Sequence, residues 1–104
     1  MSVIQVNSEN FKEIENGARP ALLDFYASWC GPCRMLSPTI SAIASEGEDI
    51  VVGKINVDDE PELARRFGIY SIPTVVVMKD GEEIERVVGL RPKEQLLAMI
   101  PSQM

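Results

Sequence analysis

Apolar positions along the chain come in two kinds, short unbroken runs and sets spaced three or four apart. Ala21-Leu22-Leu23-Asp24-Phe25-Tyr26-Ala27 is an unbroken run interrupted by one acid, the pattern of a central strand buried on both faces. Ile50 to Val57 reads as a second strand. Thr74 to Met78 and Ile84 to Val88 read as two more, joined through Asp80-Gly81, a dipeptide that suits a tight hairpin. Helical spacing places Phe11 and Ile14 on one face after Ser8, the expected N-cap. Leu36, Ile40 and Ile43 share a face between Cys33 and Ser45, with Pro32 near the start and Pro38 inside, where a kink is expected. Asp58-Asp59-Glu60-Pro61-Glu62 gathers acids and a proline at a helix start, and Gly68 closes that helix. Pro92 opens a last helix carrying Leu96, Leu97 and Ile100, and Pro101 ends it. Strands and helices in this order predict an α/β fold, a mixed sheet with helices on both faces.

No internal repeat or linker divides the chain, so residues 1–104 are expected to form one domain, large enough for a single core. The longest apolar runs, such as Val75-Val76-Val77-Met78, have the length of buried strands and not of bilayer spans. The N-terminal stretch Met1-Ser2-Val3-Ile4-Gln5-Val6 lacks the basic segment, apolar core and cleavage site of a secretory signal, which points to the cytoplasm. A net charge of −6 with scattered basic residues argues against nucleic acid or anionic membranes as partners. The adjacent pair Arg65-Arg66 is most simply the solvated end of a helix.

Candidate chemistry is narrowed by what is missing. With no histidine, Cys–His and Ser–His nucleophile pairs and His-ligated metals are excluded, and the two cysteines cannot close a four-ligand zinc site alone. No cofactor or metal is expected. Cys30 and Cys33 lie between a buried strand and the first turn of a helix, in a C-x-x-C spacing associated with redox exchange. A thiolate there faces unpaired backbone N–H groups and the positive end of the helix dipole, which lowers its pKa. Cys30 is expected toward solvent and able to attack a disulfide; Cys33, shielded within the helix, is placed to resolve the mixed disulfide. The plainer reading is a structural bridge. Closing a four-residue loop contributes only about 1.9 kcal/mol on the chain-entropy estimate, against about 3 kcal/mol for fifteen residues, so the bridge is a weak staple. Half of an interchain metal or iron–sulfur site is a further alternative.

Trp29-Cys30-Gly31-Pro32-Cys33, with Asp24-Phe25 before it, Pro38 after it, and Ile72-Pro73-Thr74 and Gly89 further on, resembles the thioredoxin family from about Val3 to Ile100. That resemblance implies a thioredoxin fold, a central five-stranded mixed β-sheet flanked by four α-helices. It also implies a monomeric, cytoplasmic protein-disulfide reductase and electron carrier. Such a protein reduces disulfides in client proteins through Cys30 and Cys33, which close into a redox disulfide, and is re-reduced by a thioredoxin reductase. Gly31-Pro32 between the cysteines resembles the reducing members. Tyr26, where many members carry tryptophan, and Tyr70, where arginine or methionine is frequent, depart from the family pattern.

The supporting residues each have a functional and a plain reading. Asp24, ionisable within an apolar strand, is costly unless neutral or paired, and is the candidate proton acceptor for Cys33; the alternative is an exposed strand position. Lys54 is implied by the family to pair with Asp24 and modulate it, against a solvated strand-edge lysine. Ile72-Pro73 resembles a cis-proline segment whose backbone pairs with extended substrate, where residues alone would favour an ordinary trans proline. Trp29 is read as an exposed aromatic surface beside the nucleophile, or else a half-buried packing residue. Gly89 is read as allowing close approach of substrate backbone, or as a strand-ending glycine. A non-enzymatic binding platform on the same fold is the competing function, and it would not need the intact cysteine pair with Asp24.

Overall fold

In the computed structural model, which describes residues 2–47 and 49–101, the chain runs β1 (Ile4–Gln5), α1 (Phe11–Asn16), β2 (Ala21–Tyr26), α2 (Gly31–Glu46), β3 (Val51–Asn56), α3 (Pro61–Arg66), β4 (Thr74–Lys79), β5 (Glu82–Val88), α4 (Lys93–Ala98). The strands make one five-stranded sheet in the order β1-β3-β2-β4-β5. β1 and β2 each run parallel to β3, β4 runs antiparallel to β2, and β5 antiparallel to β4. The sheet is therefore mixed, as expected, with β2 between β3 and β4.

Strand alternation decides what each face carries. Along β2, Leu22 belongs to the core that α2 and α4 cover with Leu36, Ile40, Ile43 and Leu96. Ala21, Leu23 and Phe25 belong to the opposite core, closed by Phe11 of α1 and by Leu63 and Phe67. Phe67 meets Phe11 edge-on at a centroid separation of 5.7 Å and Phe25 at 5.3 Å. Asp24, in step with Leu22, falls on the α2 side of the sheet. The β4–β5 turn is the expected hairpin, with Asp80 at φ 54° and Gly81 at φ 81°, both in the left-handed region that an Asp-Gly pair tolerates.

The structure departs from the residue pattern at two points. The run before Phe11 contains a short edge strand, β1, that the residue pattern does not announce: it has two residues, both exposed. Ser8 is not the cap of α1. The N-cap position is Asn10, Asn7 Oδ1 accepts from the backbone N–H groups of Glu9 and Asn10 at 2.9 and 2.8 Å, and the Ser8 hydroxyl donates to Glu60 Oε1 at 3.1 Å. Asn10 makes no side-chain cap bond to α1; the turn ahead of the helix is held by Asn7 instead. Pro38 lies inside α2, as its place in the sequence predicts, and the helix runs from Gly31 to Glu46. The missing N–H of Pro38 leaves the Arg34 carbonyl without its helical donor, but the apolar face from Leu36 to Ile43 holds the helix together.

Candidate active site

The end of β2 delivers the chain into the N-terminus of α2, and Cys30 is the N-cap residue, with extended backbone at φ −90°, ψ 115°. Its Sγ accepts the backbone N–H of Cys33 at 3.3 Å, so the sulfur occupies the place where a capping oxygen would satisfy an orphan donor. Pro32 in the first turn has no N–H to satisfy. Cys30 and Cys33 form a disulfide across a Cα–Cα separation of 5.3 Å. Both cysteines are buried in this oxidised form, 6% exposed for Cys30 and 3% for Cys33, so the expected contrast in exposure is small. What separates them is position: Cys30 caps the helix and Cys33 lies within it. Pro32 is exposed and Gly31 half-buried, with open space where a side chain at Gly31 would project.

Around the disulfide the fold gathers residues from distant parts of the chain. Ala27 and both cysteines form a small cluster against which Tyr26, Val57 and Ile72 pack. The Ile72-Pro73 bond is cis. Gly89 donates its backbone N–H to the Pro73 carbonyl at 2.8 Å, and its φ of +98° is one that side-chain-bearing residues rarely adopt. Trp29 is 69% exposed, and its indole Nε1 donates to Asp58 Oδ2 at 2.8 Å. Between Trp29 and the 88% exposed Tyr70 lies a cleft of about 190 Å³ floored by Val57, Ile69 and Ile72.

Asp24 is fully buried, and neither carboxylate oxygen accepts a hydrogen bond among the described residues. Burial pushes its carboxyl up to about 6, and the field of Lys54 holds that rise in check. Lys54 stands beside Asp24 in the β2–β3 register but makes no direct contact with its oxygens. Its ammonium donates to Ser37 Oγ on α2 at 3.1 Å and lies 4.5 Å from the centroid of the Tyr26 ring. The expected pairing is thus a through-space one. A second cleft, about 560 Å³, is lined by Tyr26, Ser28, Cys33, Arg34, Ser37 and Lys54 among others, and opens this side of the site to solvent.

The structure brings together Cys30, Cys33, Trp29, Ile72, Pro73 and Gly89, and places Lys54, the register partner of Asp24, on the cleft that Cys33 also lines. It adds Asp58, which holds Trp29, and Ser37, which holds Lys54. Asp58 is hidden in sequence by the acid run that reads as a helix start, and Ser37 by being one serine among several on α2. No group of three or more Cys, Asp or Glu side chains among the described residues is placed to hold a metal ion, and no helix is long and apolar enough to cross a membrane.

A family model described as Thioredoxin matches residues 2–102. The thioredoxin of Porphyra purpurea is 52% identical over 98 residues, covering 92% of each chain. That of Chlamydia caviae is 45% identical over 96 residues, covering 91% of this chain and 92% of the relative. Among solved structures, the Malassezia sympodialis thioredoxin superimposes with a TM-score of 0.85 at 32% identity, covering 95% of this chain and 88% of that one. A mutant thioredoxin from Halobacterium salinarum superimposes at 0.83 with 39% identity, covering 95% and 86%. A helix-capping cysteine pair closed as a disulfide, in a fold and a sequence shared along nearly the whole length with these relatives, makes this chain a dithiol–disulfide oxidoreductase that belongs to the thioredoxin family.

Proposed function

We propose that this protein is a general protein-disulfide reductase, a monomeric single-domain electron carrier of the cytoplasm that a thioredoxin reductase returns to the dithiol. The observation that carries the reading is the position of Cys30 as N-cap of α2, its sulfur facing the Cys33 N–H. In the dithiol form that environment favours the Cys30 thiolate. The thiolate attacks one sulfur of a client disulfide, forming a mixed disulfide and releasing the other client sulfur as a thiolate. Cys33 then loses its proton and attacks Cys30 Sγ, closing the Cys30–Cys33 disulfide and releasing the second client thiolate. The client gains two electrons and the dithiol loses two.

Asp24 is the acceptor for the Cys33 proton in this scheme. With its carboxyl raised to about 6 it is mostly ionised at neutral pH yet basic enough to take a proton, and the cleft that Cys33 and Lys54 line admits water beside the thiol. Trp29, Gly31, Pro32, Ile72, Pro73 and Gly89 form the surface on which an extended client segment lies, with the backbone of Ile72 as its pairing edge. A cytoplasmic setting suits a protein whose active form is a dithiol.

Insulin reduction by dithiothreitol tests the reading. Catalytic amounts of the protein accelerate precipitation of the freed B chain well beyond dithiothreitol alone. A rate equal to the background would leave only a binding platform on the same fold.

A further inference from the structure

The Lys54 ammonium is held by groups other than the acid it acts on. It donates to Ser37 Oγ at 3.1 Å and rests 4.5 Å from the centre of the Tyr26 ring, within the range of a cation–π contact. The ring is itself anchored, because Tyr26 Oη donates to Gln5 Oε1 at 3.1 Å, and Gln5 Nε2 donates back to the Lys54 carbonyl at 3.3 Å. Two elements therefore meet at the ammonium, α2 through Ser37 and β2 through Tyr26, while β1 steadies the Tyr26 ring through Gln5. The same side chain lines the larger cleft beside Cys33.

The surroundings of Asp24 supply little else that is charged. From β4 its register partner is Val75, which carries no charge. Arg34 on α2 also lines that cleft, but it is exposed and its guanidinium is turned to the Ser28 carbonyl, to which it donates at 2.8 Å. Lys54 from β3 is the cation whose field reaches Asp24. The distance of this one ammonium from a fully buried carboxyl is then a direct lever on how tightly that carboxyl holds a proton.

We propose that Ser37 and Tyr26 are positioning residues that clamp the Lys54 ammonium near Asp24 without letting it form a contact ion pair, and so set the pH range in which Asp24 accepts the Cys33 proton. The role of the proton in turnover rests on the function proposed above; the clamp itself does not. Released from Ser37, the ammonium moves toward water, since following Asp24 inward would strip its hydration. The field on the carboxyl weakens and Asp24 holds its proton to higher pH. A contact pair would instead lower the proton affinity of Asp24 and weaken it as a base. The clamp keeps the acid between these limits.

The test reads the Asp24 carboxyl carbon by NMR as a function of pH in the oxidised protein, where the cysteines do not titrate. Lys54→Met raises the midpoint by about one pH unit or more, as removal of a nearby charge requires. Ser37→Ala and Tyr26→Leu each raise it by about half a pH unit, and Ser37→Thr, which keeps a hydroxyl, restores the wild-type value. In the Lys54→Met background, Ser37→Ala adds nothing. The pH profile of mixed-disulfide resolution, followed separately in the dithiol form, moves the same way. An unmoved midpoint in both single variants overturns the clamp, as does a shift that persists without Lys54. A downward shift also overturns it, because the freed ammonium would then turn onto the carboxylate. If the midpoints move as stated while resolution stays unchanged, the clamp stands and the proton role of Asp24 falls.

Discussion

Cys30 and Cys33 are three positions apart, and the roles proposed for them follow from their places at the start of α2. The Cys30 sulfur sits at the N-cap, where the Cys33 N–H points at it and the helix dipole favours negative charge. Cys33 lies in the first turn, buried against Ala27 and Ile72. In the dithiol, iodoacetamide is expected to modify Cys30 at least about tenfold faster than Cys33 near neutral pH, because the helix N-terminus favours the thiolate at the capping sulfur. Cys33→Ser accumulates mixed disulfides with clients and Cys30→Ser forms almost none. Mass spectrometry of the alkylated and trapped species checks both; equal alkylation, or trapping by the reverse variant, would exchange the roles. These two residues and Asp24 were legible because each violates a local expectation: paired thiols in a four-residue span, and an acid inside an apolar run. Ser37, Tyr26 and Asp58 violate none. Their partners, Lys54 and Trp29, lie 17, 28 and 29 positions away, so only the fold reveals what they hold.

Among the elements, β3 carries the tightest packing requirement. Gly53 faces the α1–α3 side of the sheet, where a Cβ would lie 2.6 Å from Val6 Cγ2 and 3.2 Å from Leu23 Cδ2. Val6 and Leu23 are 1% and 0% exposed, and both sit in a filled core with little room to retreat. Gly53→Ala is therefore expected to destabilise the fold by about 1–3 kcal/mol through overpacking, despite alanine's lower backbone entropy cost. Urea unfolding checks it: the midpoint falls while the slope stays unchanged. A midpoint equal to wild type would mean that β1 moves outward freely and that the edge strand is loosely held. The sequence hides this glycine, because a glycine between Val52 and Lys54 looks like any strand interruption. Strands β2 to β5 were legible from apolar runs and the Asp-Gly turn, whereas β1 was not, because an exposed two-residue edge has no burial pattern to leave in the sequence. Strand order was equally out of reach of periodicity, which reports the face a residue occupies and not its neighbour. The family resemblance gave the number of strands and the mixed character of the sheet, and the order came only with the structure.

At the scale of the whole molecule, Asp24 ties global stability to the site. The folded state holds its proton to about pH 6, while the unfolded chain releases it near 3.8. Because the folded value is the raised one, the associated stability is fully present below the unfolded pKa and is lost as pH rises through the folded one. The span from 3.8 to about 6 corresponds to a loss of about 3 kcal/mol, complete above neutrality. That is a large share of the roughly 5–15 kcal/mol that holds a domain folded. Asp24→Asn removes the ionisation but keeps the shape, so its stability relative to wild type should rise by about this amount between about pH 4 and pH 8. Comparing the two proteins at each pH cancels the titration of the exposed carboxylates, which both share. Lys54 enters with opposite sign: Lys54→Met leaves the charged acid unattended, pushing the window to higher pH and deepening the loss at its end. Urea unfolding of the three oxidised proteins across this range measures the differences directly. In parallel, single-turnover reduction of a model disulfide by Asp24→Asn should slow at the resolving step near neutral pH, since the proposed acceptor for the Cys33 proton is gone. A stability difference that stays flat with pH would mean that water reaches Asp24 in solution and that the acid carries no burial penalty. A flat difference together with an unslowed resolving step would remove Asp24 from both roles and leave the chemistry to the cysteines and the helix that Cys30 caps.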